Sequence, residues 1–544
     1  MQAILQALRN PRNTFAAVLF FGLLALTARN ATDPDLWWHL RTGQWIVETG
    51  HVPHFDPFSF TRAGHAWVSH EWLSEIVFYQ LWKYGGAAAL IVFSAMVTTA
   101  GFMFLYLRCT YAGAKLPWAA AITACGAFAA APSWGVRPQM FTITLASLLL
   151  WLIAVGEHRP RILFWIPPLF LLWLNLHAGF ALGPALLLAY GGGLLLETAL
   201  GNTPWHQARP NLLRVLLLLI VCLALVPLNP SGTQLYRYPF DTVRSQGMRS
   251  LISEWRSPDF HGWLYRPLLL TWLLLLTALA TGLSRSAALL PFYRPSPFPH
   301  RNDHSRPIGR VIVPLLLTAF AALDAARHIP IFLLTAVPVI ATALPSASPS
   351  MAFLPRRSTS SFRPLFHAAI LLLMAAFALT RWVSLARTQD VRVAQKFPEP
   401  AVAFLRAGHY PQRLFVYYDW GGYAIWKLYP AYKVFADGRA DLYGDELLRQ
   451  SIKTVLQLQP GWQAVLDRWQ VESVLVPSTC ALAQALALDP NWHVAFTDSQ
   501  AIILFRTHSP RQNAAFFSYP PEAPQVIAKI PQKMFPRAVP NLRN

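Results

Sequence analysis

The sequence predicts a polytopic α-helical membrane protein of about eleven transmembrane helices followed by a C-terminal extracytoplasmic α/β domain. Three observations carry this. Hydrophobic residues make up 54% of the 544 and charged residues only 13%, about half the charged share of an ordinary soluble domain, so there are too few charges to cover a water-facing surface. Apolar runs of near-spanning length recur through the first 380 residues. Beyond them the runs cease, and short β-type stretches alternate with helical ones. Together these exclude a soluble enzyme and a disordered chain. A disulfide scaffold is excluded by Cys109, Cys125, Cys222 and Cys480, which lie far apart with no CxxC pair. The net charge of +20, from 45 Lys+Arg and 25 Asp+Glu, is the balance of many nucleic-acid binders. Here the basic residues flank apolar runs, so the expected partner is the lipid bilayer and no nucleic acid.

A span needs roughly 20 apolar residues. Candidate runs are 14–28, 87–107, 116–133, 138–155, 162–176, 180–196, 212–228, 267–283, 311–323, 329–344 and 365–380. The first follows the basic residues Arg9 and Arg12 and has no A-x-A cleavage site directly after it, which predicts an uncleaved first span. Every second loop is basic: Arg108 and Lys115; Arg159 and Arg161; Arg209 and Arg214; Arg285, Arg294, Arg301, Arg306 and Arg310; Arg356, Arg357 and Arg363. The positive-inside rule then puts the N-terminus of a multi-pass membrane protein in the cytoplasm and the C-terminal domain outside the cell membrane. The expected organisation is a transmembrane domain 1–380 with a first outer loop at 29–86, an extracytoplasmic α/β domain at 381–510, and a loosely ordered Pro-rich, basic tail at 511–544. In the second domain, 413–418, 433–436, 473–476, 493–497 and 501–505 are expected as strands, and 445–469 and 480–488 as helices.

The outer segments hold the residues able to do chemistry. The first loop opens on DPDLWWHLRTG at 33–43. Pro34 fixes the backbone between Asp33 and Asp35 and disfavours helix at Asp33, so both carboxylates can serve one turn. Such a pair can act as general base or hold a divalent cation; it can equally begin a helix as an N-cap, with Trp37 and Trp38 as interfacial belt residues. His39 and Arg41 follow on the same stretch. His70, Glu71 and Glu75 precede the second span, and the two glutamates share a helix face one turn apart; they either face the cavity of Asp33 or lie solvated on an interfacial helix. His51, His54 and Asp56 have ligand types at metal spacing. Arg137, His177, Arg327 and His328 fall at span ends, at the depth of a lipid-linked phosphate, where an arginine either binds that phosphate bidentately or snorkels to headgroups. In the soluble domain, YYDWG at 417–421, with Asp419 and Trp420, and KVFADGRAD at 433–441 follow predicted strands, where open α/β sheets bind ligands and where Asp and Gly also make turns.

The acidic pair after the first span, the many spans and the outer C-terminal domain resemble the C-type (GT-C) integral-membrane glycosyltransferases. The runs at 33–43, 56–61 and 70–75, with Arg137-Pro-Gln, Asn175-Leu-His177-Ala-Gly and Arg327-His-Ile-Pro, are similar to a poorly characterised bacterial branch of that type. YYDWG is similar to the WWDYG motif of the oligosaccharyltransferase catalytic subunit. Tyr stands for each Trp and Trp for Tyr, so asparagine-linked transfer is not expected. The resemblance implies Asp33 and Asp35 as base or as ligands of a divalent cation (Mg²⁺ or Mn²⁺), and a sugar donor on a polyprenyl phosphate transferred with inversion on the outer face. The expected function is therefore a membrane glycosyltransferase. Asp33, Asp35, His70 and Glu71 are its catalytic candidates. Trp38, His39, Arg41, Arg137, His177, Arg327, His328, Asp419 and Trp420 are its substrate-binding candidates, and an envelope glycan, lipid or protein is its acceptor. The alternatives are a lipid or sugar transporter or flippase, which would place polar residues deep in the spans and show two related halves, and a non-catalytic envelope-assembly protein.

Overall fold

The computed structural model describes residues 10–284, 308–344, 362–408 and 410–507. The tail 511–544 and the basic inner-loop residues Arg9, Arg285, Arg294, Arg301, Arg306, Arg356 and Arg357 lie outside these.

Each of the eleven apolar runs is helical. In chain order the helices of the first part are α1 (Pro11–Thr27), α2 (Leu36–Thr49), α3 (Trp72–Tyr111), α4 (Leu116–Ala130), α5 (Gln139–Gly156), α6 (Ile166–Leu176), α7 (Leu182–Ala199), α8 (Trp205–Leu225), α9 (Gln234–Arg244), α10 (Gln246–Leu251), α11 (Arg266–Ser284), α12 (Ile308–Asp324), α13 (Ile329–Ala343) and α14 (Phe362–Lys396). Eight helical segments among the described residues are long and apolar enough to cross a membrane. The expected count of eleven differs from eight by the three shorter helices α1, α6 and α12, which have 17, 11 and 17 residues. The protein is a multi-pass membrane protein.

Burial separates the inner from the outer helices. In α5 and in 326–343, 78% of the most apolar window is buried; in α14 the share is 11%. Along α8, Leu213, Leu216, Leu217, Ile220 and Leu223 are exposed. Leucines displayed on one helix at this density would be an aggregation surface in water; against lipid they are the expected outer face. Inside the bundle, α3 packs along α5 and α7 along α12. Near the end of α7 the fully buried Glu197 is ion-paired to Arg310 Nε at 3.0 Å, and Arg310 reaches Glu157 at 3.1 Å. An intramembrane acid is thereby neutralised by a partner, as the cost of burying a lone charge requires.

Two sequence boundaries move. The first outer loop was expected to end at 86, but α3 begins at Trp72 and breaks at Gly86, whose φ of +57° leaves the helical region. The first part, 72–85, is thus a separate helix leading into the span. The division expected at 380 falls inside α14, which runs on to Lys396.

The C-terminal domain comprises α15 (Glu399–Ala407), β1 (Arg413–Val416), α16 (Gly421–Leu428), β2 (Lys433–Val434), α17 (Ala440–Arg449), α18 (Trp462–Arg468), β3 (Ser473–Pro477), α19 (Ala481–Leu488), β4 (Trp492–Thr497) and β5 (Ala501–Arg506). Sheet order is β2-β1-β3-β5-β4, with β1 parallel to β2 and β3, and β5 antiparallel to β3 and β4. All five expected strands form. The single helix expected over 445–469 is instead α17, a π-turn over 450–455, and α18.

The first outer loop is stitched to this domain. Ser59 pairs with Val434 of β2, with Val434 N donating to Phe58 O and Phe60 N to Val434 O, both at 3.2 Å. Backbone contact is close: a Cβ on Gly438 would overlap the Asp35 carboxylate, and one on Gly422 would lie 2.7 Å from Pro34 O. Only glycine lets the sheet's loops approach the acidic turn this far.

Candidate functional site

Segments far apart in sequence meet at one end of the bundle. After α1, Asp33 Oδ1 accepts from Asp35 N at 3.0 Å, closing a turn across Pro34. Asp35 stands at the head of α2 but makes no side-chain capping bond, so the N-cap alternative does not describe its role. Its Oδ1 instead accepts from Trp38 Nε1 at 3.3 Å, and its Oδ2 lies 3.4 Å from Arg137 Nη1. Arg137 Nε lies 3.7 Å from Asp33 Oδ2, and Nη2 is ion-paired to Glu254 and donates to Gln139 Oε1 at 2.8 Å. Arg327 Nη1 lies 3.5 Å from Glu254, its guanidinium 4.2 Å above the Trp255 ring. Three carboxylates thus surround two guanidiniums. Burial and the charge of Asp33 push the Asp35 carboxyl up to about 8, with Arg137 pulling the other way. Burial opposes ionisation of Glu254 too, but Arg137 and Arg327 outweigh it and hold that group at about 2. The two environments thus separate Asp35 from Glu254: Glu254 stays ionised, while the Asp35 carboxyl is pushed toward its neutral form.

A second cluster adjoins the first through Trp38, whose ring lies 3.6 Å from that of His39. Glu71 is its hub. His39 Nε2 lies 3.4 Å from Glu71 Oε2; His70 Nε2 and His177 Nε2 lie 3.3 and 3.4 Å from Oε1. The far ring nitrogens are also held: His39 Nδ1 by Glu75 at 3.4 Å, His70 Nδ1 by Val68 O at 3.0 Å, and His177 Nδ1 by Gly179 N–H at 2.9 Å. That last bond makes Nδ1 of His177 an acceptor and leaves its proton on Nε2, facing Glu71. Burial lowers His39 to about 3 and His177 to about 4, so both are neutral at pH 7. For His70 the attraction of Glu71 outweighs burial and raises its pKa; for Glu71 the histidines outweigh burial and hold it well below the usual carboxylate range. The cluster therefore sets an ionised Glu71 among two neutral imidazoles and a His70 whose charged form it favours. Tyr238 OH lies 3.4 Å from His70 Nε2. Asp441 of the C-terminal domain, raised by burial, is near enough to His70 to be drawn back down by it.

The structure thus brings together Asp33, Asp35, Trp38, Arg137 and Arg327, and beside them His39, His70, Glu71 and His177. The solvated alternative for Glu71 and Glu75 fails: both are buried. Four expected residues make their direct contacts outside these two clusters, although His328 still feels Glu254 and Asp419 still feels Asp33. Arg41 donates to Gln44 at 2.7 Å and stacks on Tyr429, because α2 turns it away from Asp35. His328 Nδ1 bonds Ala321 O at 3.2 Å. Trp420 Nε1 donates to Lys396 O at 3.0 Å, packing YYDWG onto the end of α14, and Asp419 is exposed. Of the metal-spaced trio, His51 and His54 are exposed and Asp56 is buried against Arg439 at 2.8 Å. Among the described residues, no three or more His, Cys, Asp or Glu are arranged to hold a metal ion. Sequence reasoning missed Glu254 and Tyr238 as site residues, and carried Asp441 only as the end of the 433–441 run. Glu254 and Tyr238 lie in a segment of mixed charge between α8 and α11 with no pattern to single them out.

No protein-family model matches the chain, and neither does any curated protein. Solved structures do. The archaeal oligosaccharyltransferase AglB from Archaeoglobus fulgidus, in complex with an inhibitory peptide and a dolichol-phosphate, superposes with a TM-score of 0.50 at 12% identity, over 85% of this chain and 69% of that one. ArnT from Cupriavidus metallidurans bound to undecaprenyl phosphate gives a TM-score of 0.46 at 13% identity, over 90% of this chain and 97% of that one. The likeness to AglB is one of fold.

Proposed function

We propose that this protein is a membrane glycosyltransferase that moves a sugar from a polyprenyl-phosphate-linked donor to an envelope glycan, lipid or protein on the outer face of the inner membrane. One observation carries the reading: acids and arginines from the segments after α1, α4, α10 and α12 converge at one end of a membrane bundle, beneath a docked soluble domain. A fold shared with a protein solved with a dolichol-phosphate supports it.

In this mechanism Arg137 and Arg327 face the donor phosphate, for which a planar guanidinium is the natural partner. Asp33, with Asp35 beside it, takes the proton of the acceptor group. The acceptor's lone pair forms a bond to the anomeric carbon as the bond from that carbon to the phosphate oxygen breaks. The electron pair leaves with the polyprenyl phosphate, and the single displacement inverts the anomeric centre. His70 and Glu71 orient the acceptor. Asp33→Asn and Asp35→Asn should each lower transfer roughly 10²- to 10⁴-fold, the usual worth of a positioned acid–base group. The measurement is sugar incorporation from a labelled lipid-phosphate donor in proteoliposomes. Wild-type turnover by the double variant would end the proposal.

A further inference from the structure

The three carboxylates of the site and the arginine among them bear on a question the glycosyltransferase reading leaves open, namely what cation the site uses. Resemblance to the GT-C enzymes led to the expectation of Mg²⁺ or Mn²⁺ on Asp33 and Asp35. The geometry offers a different occupant. Each nitrogen of the Arg137 guanidinium faces its own acid: Nε faces Asp33 at 3.7 Å, Nη1 faces Asp35 at 3.4 Å, and Nη2 is ion-paired to Glu254. A divalent cation needs its carboxylate oxygens gathered about one point, at roughly 2.0–2.6 Å from it. Here the oxygens are spread around a planar fork that already lies between them.

We propose that Arg137 stands, as a permanent cation, in the place among Asp33, Asp35 and Glu254 that a divalent metal ion would fill, so that the site works without such an ion. The activity of the site rests on the glycosyltransferase reading; the place of Arg137 among the acids does not. A guanidinium carries one charge where a metal ion carries two, and Arg327, 3.5 Å from the same Glu254, supplies a second. Neither can be lost to deprotonation or to a chelator. Gln139 fixes the fork by accepting from Nη2 at 2.8 Å. Arg137 itself sits in the short connection between α4 and α5, just before Pro138, where the backbone is constrained. The arrangement needs no assembly step in which a metal is captured.

The test is Mn²⁺ binding to the purified full chain in detergent, followed by electron paramagnetic resonance of the free ion, which does not depend on any activity. Wild type should show no saturable site at micromolar Mn²⁺. Arg137→Ala, which leaves three acids facing an emptied position, should gain one site per chain, and adding Glu254→Gln should remove it again. If Arg137→Ala does not elute as a single species, Arg137→Gln, which stays polar but loses the charge, takes its place. Saturable Mn²⁺ binding by wild type that disappears in Asp33→Asn would overturn the proposal; so would absence of binding in wild type and in the Arg137 variant alike. In parallel, sugar transfer by wild type should be unchanged by EDTA, and loss of transfer restored by Mn²⁺ would count equally against it. If no donor supports transfer at all, the glycosyltransferase reading fails while the Mn²⁺ titration still decides the role of Arg137.

Discussion

Asp35 carries a contradiction between sequence position and environment. A residue preceding a helix is well placed to cap it with its side chain, yet its carboxylate turns to Trp38 and Arg137 while burial and Asp33 push its pKa up to about 8. In the unfolded chain an aspartate titrates near 4. Between those values the folded protein keeps a proton that the unfolded chain has released, so stability falls as pH rises from about 4 to about 8. Asp35→Asn removes that dependence. Measured by thermal unfolding in detergent, the variant should lose less melting temperature than wild type between pH 5 and pH 8, by about a degree or two in a chain of this size. Parallel pH profiles would show that Asp35 does not hold its proton in the folded state. The histidine cluster has the opposite sign. His39 and His177 are neutral when folded and have depressed values, so their contribution is present above about 6.5 and is lost as pH falls toward 4.

At the scale of elements, the first outer loop and the C-terminal domain are joined by a buried charge network. Arg439, 1% exposed, donates to Asp56 through Nη1 at 2.8 Å and to Asp437 through Nε at 2.8 Å and Nη2 at 2.7 Å, and its guanidinium lies 4.6 Å from the Trp67 ring. Removing one partner of such a set strands the other charges in a dry interior, at a cost of about 3–5 kcal/mol. Arg439→Ala should therefore lower the melting temperature by several degrees and expose the 56–62 segment to limited proteolysis. Arg439→Lys should rescue little, because an ammonium cannot reproduce the fork. A melting point within a degree of wild type would show the network to be inert. This interface also marks where the sequence stops being legible. Helical runs and strands were readable because each is fixed by local period and turn chemistry: all eleven apolar runs are helices and all five strands form. Asp56 and Asp437-Gly438-Arg439 were visible as chemically able residues, but their pairing spans 383 positions. No local pattern announces such a contact, so Asp56 looked like a metal ligand. Asp33 and Asp35 were legible because Pro34 fixes their turn; Glu254 was not, because its neighbours in the same loop are equally charged.

For the whole molecule, the site's location implies an orientation. Helix α5 joins Arg137 at the site to His158 at the other end, and its 18 residues at 1.5 Å each span about 27 Å, close to the thickness of a bilayer core. The two ends differ in charge. Around Arg137 lie the acids and the imidazoles; near His158 lie Arg159, Arg161, Arg108 and Lys115, with Arg209 and Arg214 in the next loop of the same sequence alternation. By the positive-inside rule, loops with the lysines and arginines are expected in the cytoplasm, so the site end is expected to face outward, as the proposed lipid-linked donor on the outer leaflet would require. Exposed His54 and exposed His158 are reporters at opposite ends. In a chain whose own cysteines are replaced by alanine, His54→Cys should react with a membrane-impermeant maleimide on cells with a permeabilised outer layer and intact inner membrane. His158→Cys should react only once the inner membrane is opened. The reverse pattern would put the carboxylates and arginines on the cytoplasmic side. A donor there would have to be the cytoplasmic form of the lipid carrier, and the C-terminal domain would have to fold inside the cell.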